Sequence, residues 1–423
     1  MADYKRKKVK KSFTKKKPQE INNDIQMRPK NKKNIEPIVP QEDIKVVRGS
    51  KYGRRFRNKF LITVVAVVAL VYFVLSLILP VSVYENITNS IALLGHGKYP
   101  TYTSGSTIIN SVSNGQYYYV LTDTSIIAYS NGGKIIFNEL HGFSNPVLSV
   151  SETRAIVYDQ GGENLYVYNL SGKIDSLDTK QEIITASISR NGDFAVSTHS
   201  DNYTSVVKVY DKNLENIYTW NSAKDIVNNV LVNNSGNRLA VTTFNAIAGQ
   251  YNSKMMILGF ESADPLYTVE LESTVALSLF NTGKGVSVIT PNKYKFINWK
   301  KFTINDIDIS GEINLVRKAE NGLLLVTNRA NDRSDNTVLL VSKKGLLSKE
   351  FKINNLITDI QYSKSRVYYI SDTLVNILDN NGNVLRYGDC VYGTQKISVL
   401  SSNSVAVITD SEIFKTNIEK GVD

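Results

Sequence analysis

The sequence predicts an all-β protein, an eight-bladed β-propeller, preceded by one transmembrane helix and a disordered basic tail. Three observations lead to this fold class: an uncharged apolar run of twenty residues from Phe60 to Leu79, a basic segment before that run, and a strand pattern that recurs eight times after it. They divide the chain into a cytoplasmic tail at residues 1–59, a transmembrane helix at 60–80, a juxtamembrane linker at 81–97 and an extracytoplasmic propeller at 98–423.

The apolar run matches the roughly 20 residues that a helix needs to cross the hydrocarbon core of a bilayer. Directly before it, residues 51–59 carry five positive charges. Because a Lys/Arg excess beside a span stays on the cytoplasmic side, we expect single-pass insertion in the plasma membrane with the N-terminus in the cytoplasm. A cleaved signal peptide is the alternative interpretation, but its basic region would be far shorter than 59 residues, and no A-x-A-like site follows Leu79.

The net positive charge of the chain comes from its tail. Residues 1–59 contain 20 Lys and Arg against six Asp and Glu, whereas the rest contains 30 against 33. Few large apolar residues and repelling lysine runs predict disorder in the tail. Its Lys5–Lys17 block would be attracted to anionic inner-leaflet lipid, by about 1 kcal/mol per charge, or it would only enforce topology. Nucleic acid is not an expected partner, because the tail lacks aromatic interleaving and the near-neutral propeller composition indicates no basic face.

A unit of four strands recurs along the exported region. Thr122 and Thr409 end the second strands of the first and last units, seven units apart, which gives a mean period of about 41 residues, as expected of a propeller blade. Turns with Gly and Asn, such as Asn114-Gly115, separate the strands. The eight predicted second strands are Tyr117–Asp123, Arg154–Asp159, Phe194–Thr198, Leu239–Thr243, Val286–Thr290, Leu323–Asn328, Val367–Asp372 and Val405–Asp410.

The last unit, Lys396–Lys420, has room for only three strands. An open ring would leave an unpaired strand edge. We therefore predict that the extended segment Lys98–Ser104 closes the ring as the outer strand of the last blade. This gives eight blades, with seven as the alternative if two divergent units are really one.

The strand endings, Leu324–Asn328 in particular, resemble the YVTN and quinoprotein-type propeller repeats. Residues 50–423 as a whole resemble an uncharacterised bacterial family of membrane-anchored propellers, a domain of unknown function. This resemblance implies the fold and supplies no catalytic residues. Within the predicted blades the Trp-Asp and Gly-His pairs of WD40 repeats are missing, and Trp220 and Trp299 are too few for the docking tryptophans of quinoprotein dehydrogenases, so no quinone cofactor is expected.

We expect no cofactor, no metal site and no catalytic residues. The three histidines, His96, His141 and His199, fall in three different units, and Cys390 has no second cysteine to pair with inside the chain. Asp379–Asn383 resembles a calcium loop in composition, but its glycine is at position 4 and no Glu follows at position 12, which predicts a hairpin turn. A glycan-acting hydrolase or lyase with paired acids in the central channel remains an alternative, because the many acids allow many pairs.

Three units carry long inserts between the second and third strands, at residues 198–204, 243–253 and 328–337. In a propeller these connections emerge on one face, and loops on a rigid scaffold commonly bind partners. The candidate partner-binding residues are Tyr203, Phe244, Tyr251, Arg329 and Arg333, which are residue types that anchor interfaces. The sequence thus predicts a non-enzymatic scaffold or sensor that binds a protein or glycan of the cell envelope. A ligand sensor that signals through the membrane anchor is a further alternative.

Overall fold

The computed structural model describes residues 59–71, 81–103 and 105–421. Helix α1 covers residues 59–71 and helix α2 covers Val81–Ala92. The strands of the first four sheets are β2 (Ile108–Ser113), β3 (Tyr117–Thr122), β4 (Ser125–Ser130), β5 (Ile135–Leu140); β6 (Pro146–Val150), β7 (Ala155–Asp159), β8 (Asn164–Asn169), β9 (Gly172–Asp178); β10 (Ile183–Ile188), β11 (Phe194–Thr198), β12 (Ser205–Tyr210), β13 (Asn216–Ser222); and β14 (Ile226–Val232), β15 (Arg238–Ile247), β16 (Gln250–Gly259), β17 (Pro265–Glu270).

The other four sheets follow the same plan, with one addition from each end of the chain. Their strands are β18 (Ser278–Asn281), β19 (Gly285–Ile289), β20 (Lys293–Asn298), β21 (Ile304–Asp308); β22 (Glu312–Ala319), β23 (Gly322–Arg329), β24 (Asp332–Ser342), β25 (Leu347–Ile353); β26 (Asp359–Ser363), β27 (Arg366–Ser371), β28 (Leu374–Leu378), β29 (Val384–Asp389), β33 (Lys420–Gly421); and β30 (Lys396–Ser401), β31 (Ser404–Ile408), β32 (Glu412–Asn417), β1 (Thr101–Tyr102).

The eight sheets are the blades of an all-β propeller, so the predicted eight-bladed fold is confirmed and the seven-bladed alternative is wrong. The strands pair antiparallel, in chain order in blades 1–7, while blade 8 has β1 as its outer strand. The first strands of most neighbouring blades contact one another around the central axis. The second strands are buried along most of their length, as in β3 and β19. They are buried because blades cover both of their sides, which explains their continuous apolar runs.

One hydrophobic cluster lies between each pair of neighbouring blades. The cluster between the last and first blades combines Ile408 and Ile413 with Tyr118 and Tyr129. The two tyrosine rings stack with centroids 5.2 Å apart, and the Tyr129 hydroxyl donates to the Tyr102 carbonyl at 2.7 Å. The ring is therefore closed by packing as well as by strand pairing.

The predicted closure is confirmed. Strand β1 pairs antiparallel with β32, Thr101 opposite Ile413, and forms the outer strand of blade 8. Thr103 continues the contact, since its backbone N–H donates to the Ser411 carbonyl at 3.0 Å and its hydroxyl donates to the Asp410 carbonyl at 2.5 Å. At the other terminus, β33 adds to the outer edge of blade 7 through β29.

The segment before the propeller differs from the expectation of a plain linker. Most of the predicted linker 81–97 is the helix α2. Of the predicted transmembrane helix, residues 60–71 belong to α1, while residues 72–80 lie outside the described residues, as does the tail up to residue 58. Among the residues that the structure describes, no helix combines the length and the hydropathy needed to cross a bilayer.

Antiparallel order within each blade assigns every connection to one of two faces. We call the first the hairpin face, formed by second-to-third connections and by connections to the next blade: 103 and 105–107, 123–124, 141–145, 160–163, 179–182, 199–204, 223–225, 248–249, 271–277, 290–292, 309–311, 330–331, 354–358, 372–373, 390–395 and 409–411. The second is the helix face, formed by 114–116, 131–134, 151–154, 170–171, 189–193, 211–215, 233–237, 260–264, 282–284, 299–303, 320–321, 343–346, 364–365, 379–383, 402–403 and 418–419.

Candidate functional site

Two of the three predicted loop inserts are continued strands. In blade 4, β15 and β16 stay paired through Asn245–Asn252, Ala246–Tyr251 and Ile247–Gln250. The flanking strands stop earlier, because β14 pairs only as far as Phe244 and β17 only as far as Lys254. Residues 245–253 thus form a two-stranded projection, which we call the blade-4 ribbon.

The tip of the blade-4 ribbon is a two-residue turn. Ala248 has φ 50° and Gly249 has φ 78°, so both central residues are left-handed. Positive φ at both positions is the signature of a type I′ turn, whose twist matches that of paired strands. Gly249 adopts this conformation readily, whereas the Cβ atom of Ala248 makes it costly.

Phe244 and Tyr251, both predicted to be binding residues, come together on one side of this projection. Tyr251 is opposite Ala246, and Phe244 is two residues from Ala246, so their side chains point to the same side of the ribbon. Their ring centroids are 6.2 Å apart with an interplanar angle of 72°. Tyr251 remains 53% exposed and Ile247 60% exposed. The ribbon therefore presents large apolar side chains to solvent.

The base of the blade-4 ribbon is fixed to the connection that enters blade 4. Asn245 Nδ2 donates to Asp225 Oδ1 at 2.6 Å. Lys254 Nζ lies 2.8 Å from Asp225 Oδ2, so one carboxylate holds both strands of the ribbon. This attachment gives the projection a defined direction on the hairpin face.

Blade 6 carries a second projection, residues 329–335, which we call the blade-6 ribbon. Buried Asn336 anchors it, since its Nδ2 donates to the carbonyl of Arg333 at 2.9 Å and to that of Asn355 at 2.8 Å. Near the tip, Asp332 accepts hydrogen bonds from the hydroxyl and the backbone N–H of Ser334, and these bonds lower the pKa of that carboxyl group. Arg329 and Arg333 are exposed.

All five predicted residues lie on or beside the hairpin face, but they do not form one cluster. Tyr203, 42% exposed, belongs to the connection 199–204 of blade 3, next to blade 4. The arginines are on blade 6, beyond blade 5, whose second-to-third connection is only the short turn 290–292. The two ribbons are therefore separated by blade 5, which carries no ribbon of its own.

Charge distribution is a feature of this surface that sequence reasoning missed. The connections of the hairpin face contain two basic residues, Lys180 and Lys224, and eight acidic ones. The acidic residues are Asp123, Glu163, Glu182, Asp201, Asp225, Glu272, Asp372 and Asp410. Asp123, Asp372 and Asp410 end predicted second strands, and all second strands end at the same face. The sequence therefore contained a sign of the acidic charge on this face.

The central channel offers few groups for acid–base chemistry. The eight innermost strands carry two acids, Glu312 and Asp359. Asp359 is buried, lies 2.6 Å from Arg317 Nη2 and accepts the backbone N–H of Ile397 at 3.0 Å. These bonds join blades 6, 7 and 8. In the described part of the chain, no three His, Cys, Asp or Glu residues are grouped so that they could hold a metal ion.

A small charged group marks the helix-face side of the channel. Arg190 Nε lies 2.6 Å from Glu152 Oε1, and both side chains are exposed. The charges of Glu152 and Arg190 both act on the ammonium group of Lys318, which lies on the innermost strand of blade 6. Desolvation lowers the pKa of Lys318, Glu152 opposes this effect and Arg190 adds to it. Because Lys318 belongs to blade 6 and the other two residues belong to turns of blades 2 and 3, this electrostatic interaction extends across the channel.

Residues 98–418, which cover the whole closed ring up to the end of blade 8, match the Family of unknown function (DUF5711). The chain belongs to this family. The match begins just before β1, so the DUF5711 region includes the closing strand. Comparison with curated proteins finds none that matches.

Solved structures share the fold of this DUF5711 protein at low sequence identity. The computationally designed Ika8 protein has a TM-score of 0.55 and 14% identity, over 76% of this chain and 100% of that one. The C-terminal WD40 domain of Sif2 has a TM-score of 0.50 and 13% identity, over 77% and 100%. BamB from Moraxella catarrhalis has a TM-score of 0.46 and 9% identity, over 74% and 99%. The first two similarities show the propeller fold and nothing finer.

Proposed function

We propose that the protein is a non-enzymatic propeller of the cell envelope that captures a partner on its hairpin face, as a scaffold or sensor. Residues 60–80 anchor it in the plasma membrane as a single span, with the tail in the cytoplasm and the propeller outside. The observation that carries the proposal is the pair of ribbons on blades 4 and 6, which project beyond the sheets and expose aromatic and arginine side chains.

The chemistry of the hairpin face favours a protein segment with basic residues over a glycan. Its connections carry eight acids against two bases, and the ribbons add two acids and two arginines, so the face is acidic overall and attracts positive charge. Phe244 and Tyr251 offer an apolar edge at the blade-4 ribbon, and aromatic residues often provide most of the energy of an interface. A basic segment with one or two apolar side chains would fit both features.

The alternative of a glycan-acting enzyme has less support. Such an enzyme needs two carboxylates converging on the sugar, one free to donate a proton and one to act as base or nucleophile. Of the two acids on the innermost strands, Asp359 is already bound to Arg317 and to the backbone of blade 8. A ligand sensor that signals through the anchor differs from a scaffold only in its response, so partner capture tests both.

Capture of the partner from the protein's own envelope extract, quantified by titration, tests the proposal. Replacing Phe244 and Tyr251 with Ala should weaken capture by about 2 kcal/mol or more, roughly 30-fold, because aromatic anchors at interfaces contribute on this scale. The matched control is Leu266→Ala, since Leu266 is comparably exposed on the outer strand of the same blade. Equal capture by the ribbon variant and the control would refute the hairpin face as the binding surface.

The anchor is tested separately by topology. Protease added to intact spheroplasts should digest residues 81–423 and spare the tail, because the flanking positive charge keeps the tail inside. Protection of the propeller would reverse the proposed orientation.

A further inference from the structure

Helix α2 is fixed to the helix face by a buried ion pair. Arg154 Nε donates to Glu85 Oε1 at 2.6 Å, and both side chains are almost fully buried. Asn89, one turn further on, donates to the Thr153 carbonyl at 3.0 Å and accepts the backbone N–H of Leu170 at 3.1 Å. These partners lie in helix-face turns of blade 2, so α2 is part of that face.

The opposite side of α2 carries an apolar stripe, which we define as Ile87 and Ile91 of the helix together with Leu94, two residues past its end. These side chains are 40%, 56% and 68% exposed. Ile87 and Ile91 follow the buried Glu85 and Asn89 by two residues, a rotation of about 200° around the helix axis. In sequence, the uncharged apolar segment 60–79 ends two residues before α2 begins. A chain that enters a bilayer at that segment would bring the stripe to its interface.

A lysine patch lies on the same face at blades 5 and 6, which we define as Lys284, Lys300, Lys301, Lys343 and Lys344. All five side chains are exposed. In the described part of the chain none of them forms an ion pair. The one acid in the helix-face turns of these blades, Glu320, accepts hydrogen bonds from the neighbouring turn at Ser363 and Lys364.

The turns that carry the patch are held together. The Thr282 hydroxyl donates to the Lys343 carbonyl at 3.1 Å, which links the two blades. Asn305 Nδ2 donates to the Lys344 carbonyl at 2.7 Å. Beside these lysines, Leu346 is 53% exposed. A fixed group of lysines without ion-pair partners, next to an exposed leucine, is suited to bind a partner whose surface carries anionic groups with apolar groups beneath them.

We propose that the helix face binds an anionic lipid bilayer, with the stripe of α2 in the interface and the lysine patch on the headgroups. Blades 1 and 2 lie four blades away from blades 5 and 6 in a ring of eight, so the two attachments are at opposite edges of one face. Such a pair of contacts keeps this face parallel to the membrane and turns the hairpin face away from it. The inference rests on the proposed anchor, which delivers the propeller to the membrane.

Lysine footprinting of the full-length chain in lipid nanodiscs tests this proposal. In discs with phosphatidylglycerol the five patch lysines should react with an acylating reagent about fivefold more slowly than in phosphatidylcholine discs, because phosphatidylglycerol gives the bilayer surface a net negative charge and phosphatidylcholine does not. High salt should remove the difference, since screening shortens electrostatic attraction. Lys180 and Lys224 on the hairpin face are internal controls and should react at the same rate in both.

A charge-reversal variant gives a second readout within the same experiment. In Lys300→Glu/Lys301→Glu/Lys343→Glu/Lys344→Glu, Lys284 remains as a reporter and should lose its protection in phosphatidylglycerol discs. The matched variant, Lys180→Glu/Lys224→Glu, should keep it. All of these side chains are exposed in connections between strands, and substitutions at such positions rarely disturb a fold.

The outcomes separate this inference from the anchor. If the chain enters the discs but the patch reacts equally in both lipids, the lipid-binding face is refuted while the anchor stands. If the chain fails to enter any disc, both the anchor and this inference are refuted. If soluble heparin protects the patch as strongly as phosphatidylglycerol does, the patch is a general polyanion site and the lipid assignment is wrong.

Discussion

The two faces of the propeller are built from the same four-stranded unit, yet they differ in shape and charge. The hairpin face carries the two ribbons, and its connections contain eight acids and two bases. The helix face has α2 docked on it, and its connections contain nine acids and ten bases. A nearly neutral composition thus conceals a molecule with two distinct sides, because strand order sends each class of connection to one face.

The largest effect is expected where the helix face holds α2. Glu85→Ala leaves the Arg154 guanidinium buried without its partner, which should lower the free energy of unfolding by about 3–5 kcal/mol. Chemical denaturation measures this change. Asn86→Ala, at an exposed position of the same helix, is the control and should have almost no effect. If partner binding belongs to the hairpin face alone, the Glu85→Ala variant should still capture the partner at temperatures at which the variant is folded, because the ribbons are on the face opposite α2.

A somewhat smaller loss is expected where the ring closes. Thr103→Pro removes the N–H that donates to Ser411 and the hydroxyl that donates to Asp410, which should cost about 2–3 kcal/mol. Thr103→Val keeps the N–H and should lose about half as much. Thermal unfolding of the two variants separates the contributions. Both faces depend on a closed ring, so Thr103→Pro should weaken binding at both of them. Unchanged stability would show that β1 does not close the ring.

A pH-dependent effect is expected at the channel. Desolvation by the surrounding blades lowers the pKa of Lys318 although its side chain remains exposed, so its charged form is slightly less favourable in the folded state than in the unfolded state. Lys318→Met should therefore raise the melting temperature at neutral pH. Because a lowered folded pKa costs stability below that value, the advantage of the variant should shrink as the pH rises towards 10.5, the ordinary pKa of a lysine side chain. A constant advantage across this range would contradict desolvation as the cause.

The smallest effect is expected at the tip of the blade-4 ribbon. Ala248→Asn should stabilise the hairpin by about 0.5–1 kcal/mol, because Asn tolerates the left-handed conformation that a type I′ turn requires. Hydrogen exchange of the ribbon amides measures this locally. If the ribbon is the binding element, partner capture should improve slightly in the same variant. Faster exchange in Ala248→Asn would show that the turn has another conformation.

The sequence was sufficient for the architecture because propeller blades repeat. Eight second strands, their turns and the closing segment at Lys98–Ser104 all follow from local patterns that recur at one period. It also placed the five candidate residues on one side of the ring, since connection type determines the face. The sequence predicts the inserts at 243–253 and 328–337 as loops because they are much longer than the second-to-third connections of most other units. Alternation of Phe244, Ala246 and Tyr251 around Gly249 was the signal for a ribbon.

Helix α2 escaped prediction for a different physical reason. Its buried side is polar, with Glu85 and Asn89, and its exposed side carries Ile87 and Ile91. A search for an apolar face directed towards a core finds the wrong side of such a helix. The sequence did not predict the lysine patch either, because its residues come from three turns that only the folded ring brings together.

Site-specific photo-crosslinking in native membranes compares the two faces in one measurement. A photoreactive residue is placed in the full-length chain at position 251 on the blade-4 ribbon or at position 301 in the lysine patch. We expect a discrete protein adduct from position 251 and a lipid adduct from position 301. A protein adduct from position 301, with none from position 251, would contradict the assignment of partner binding to the hairpin face.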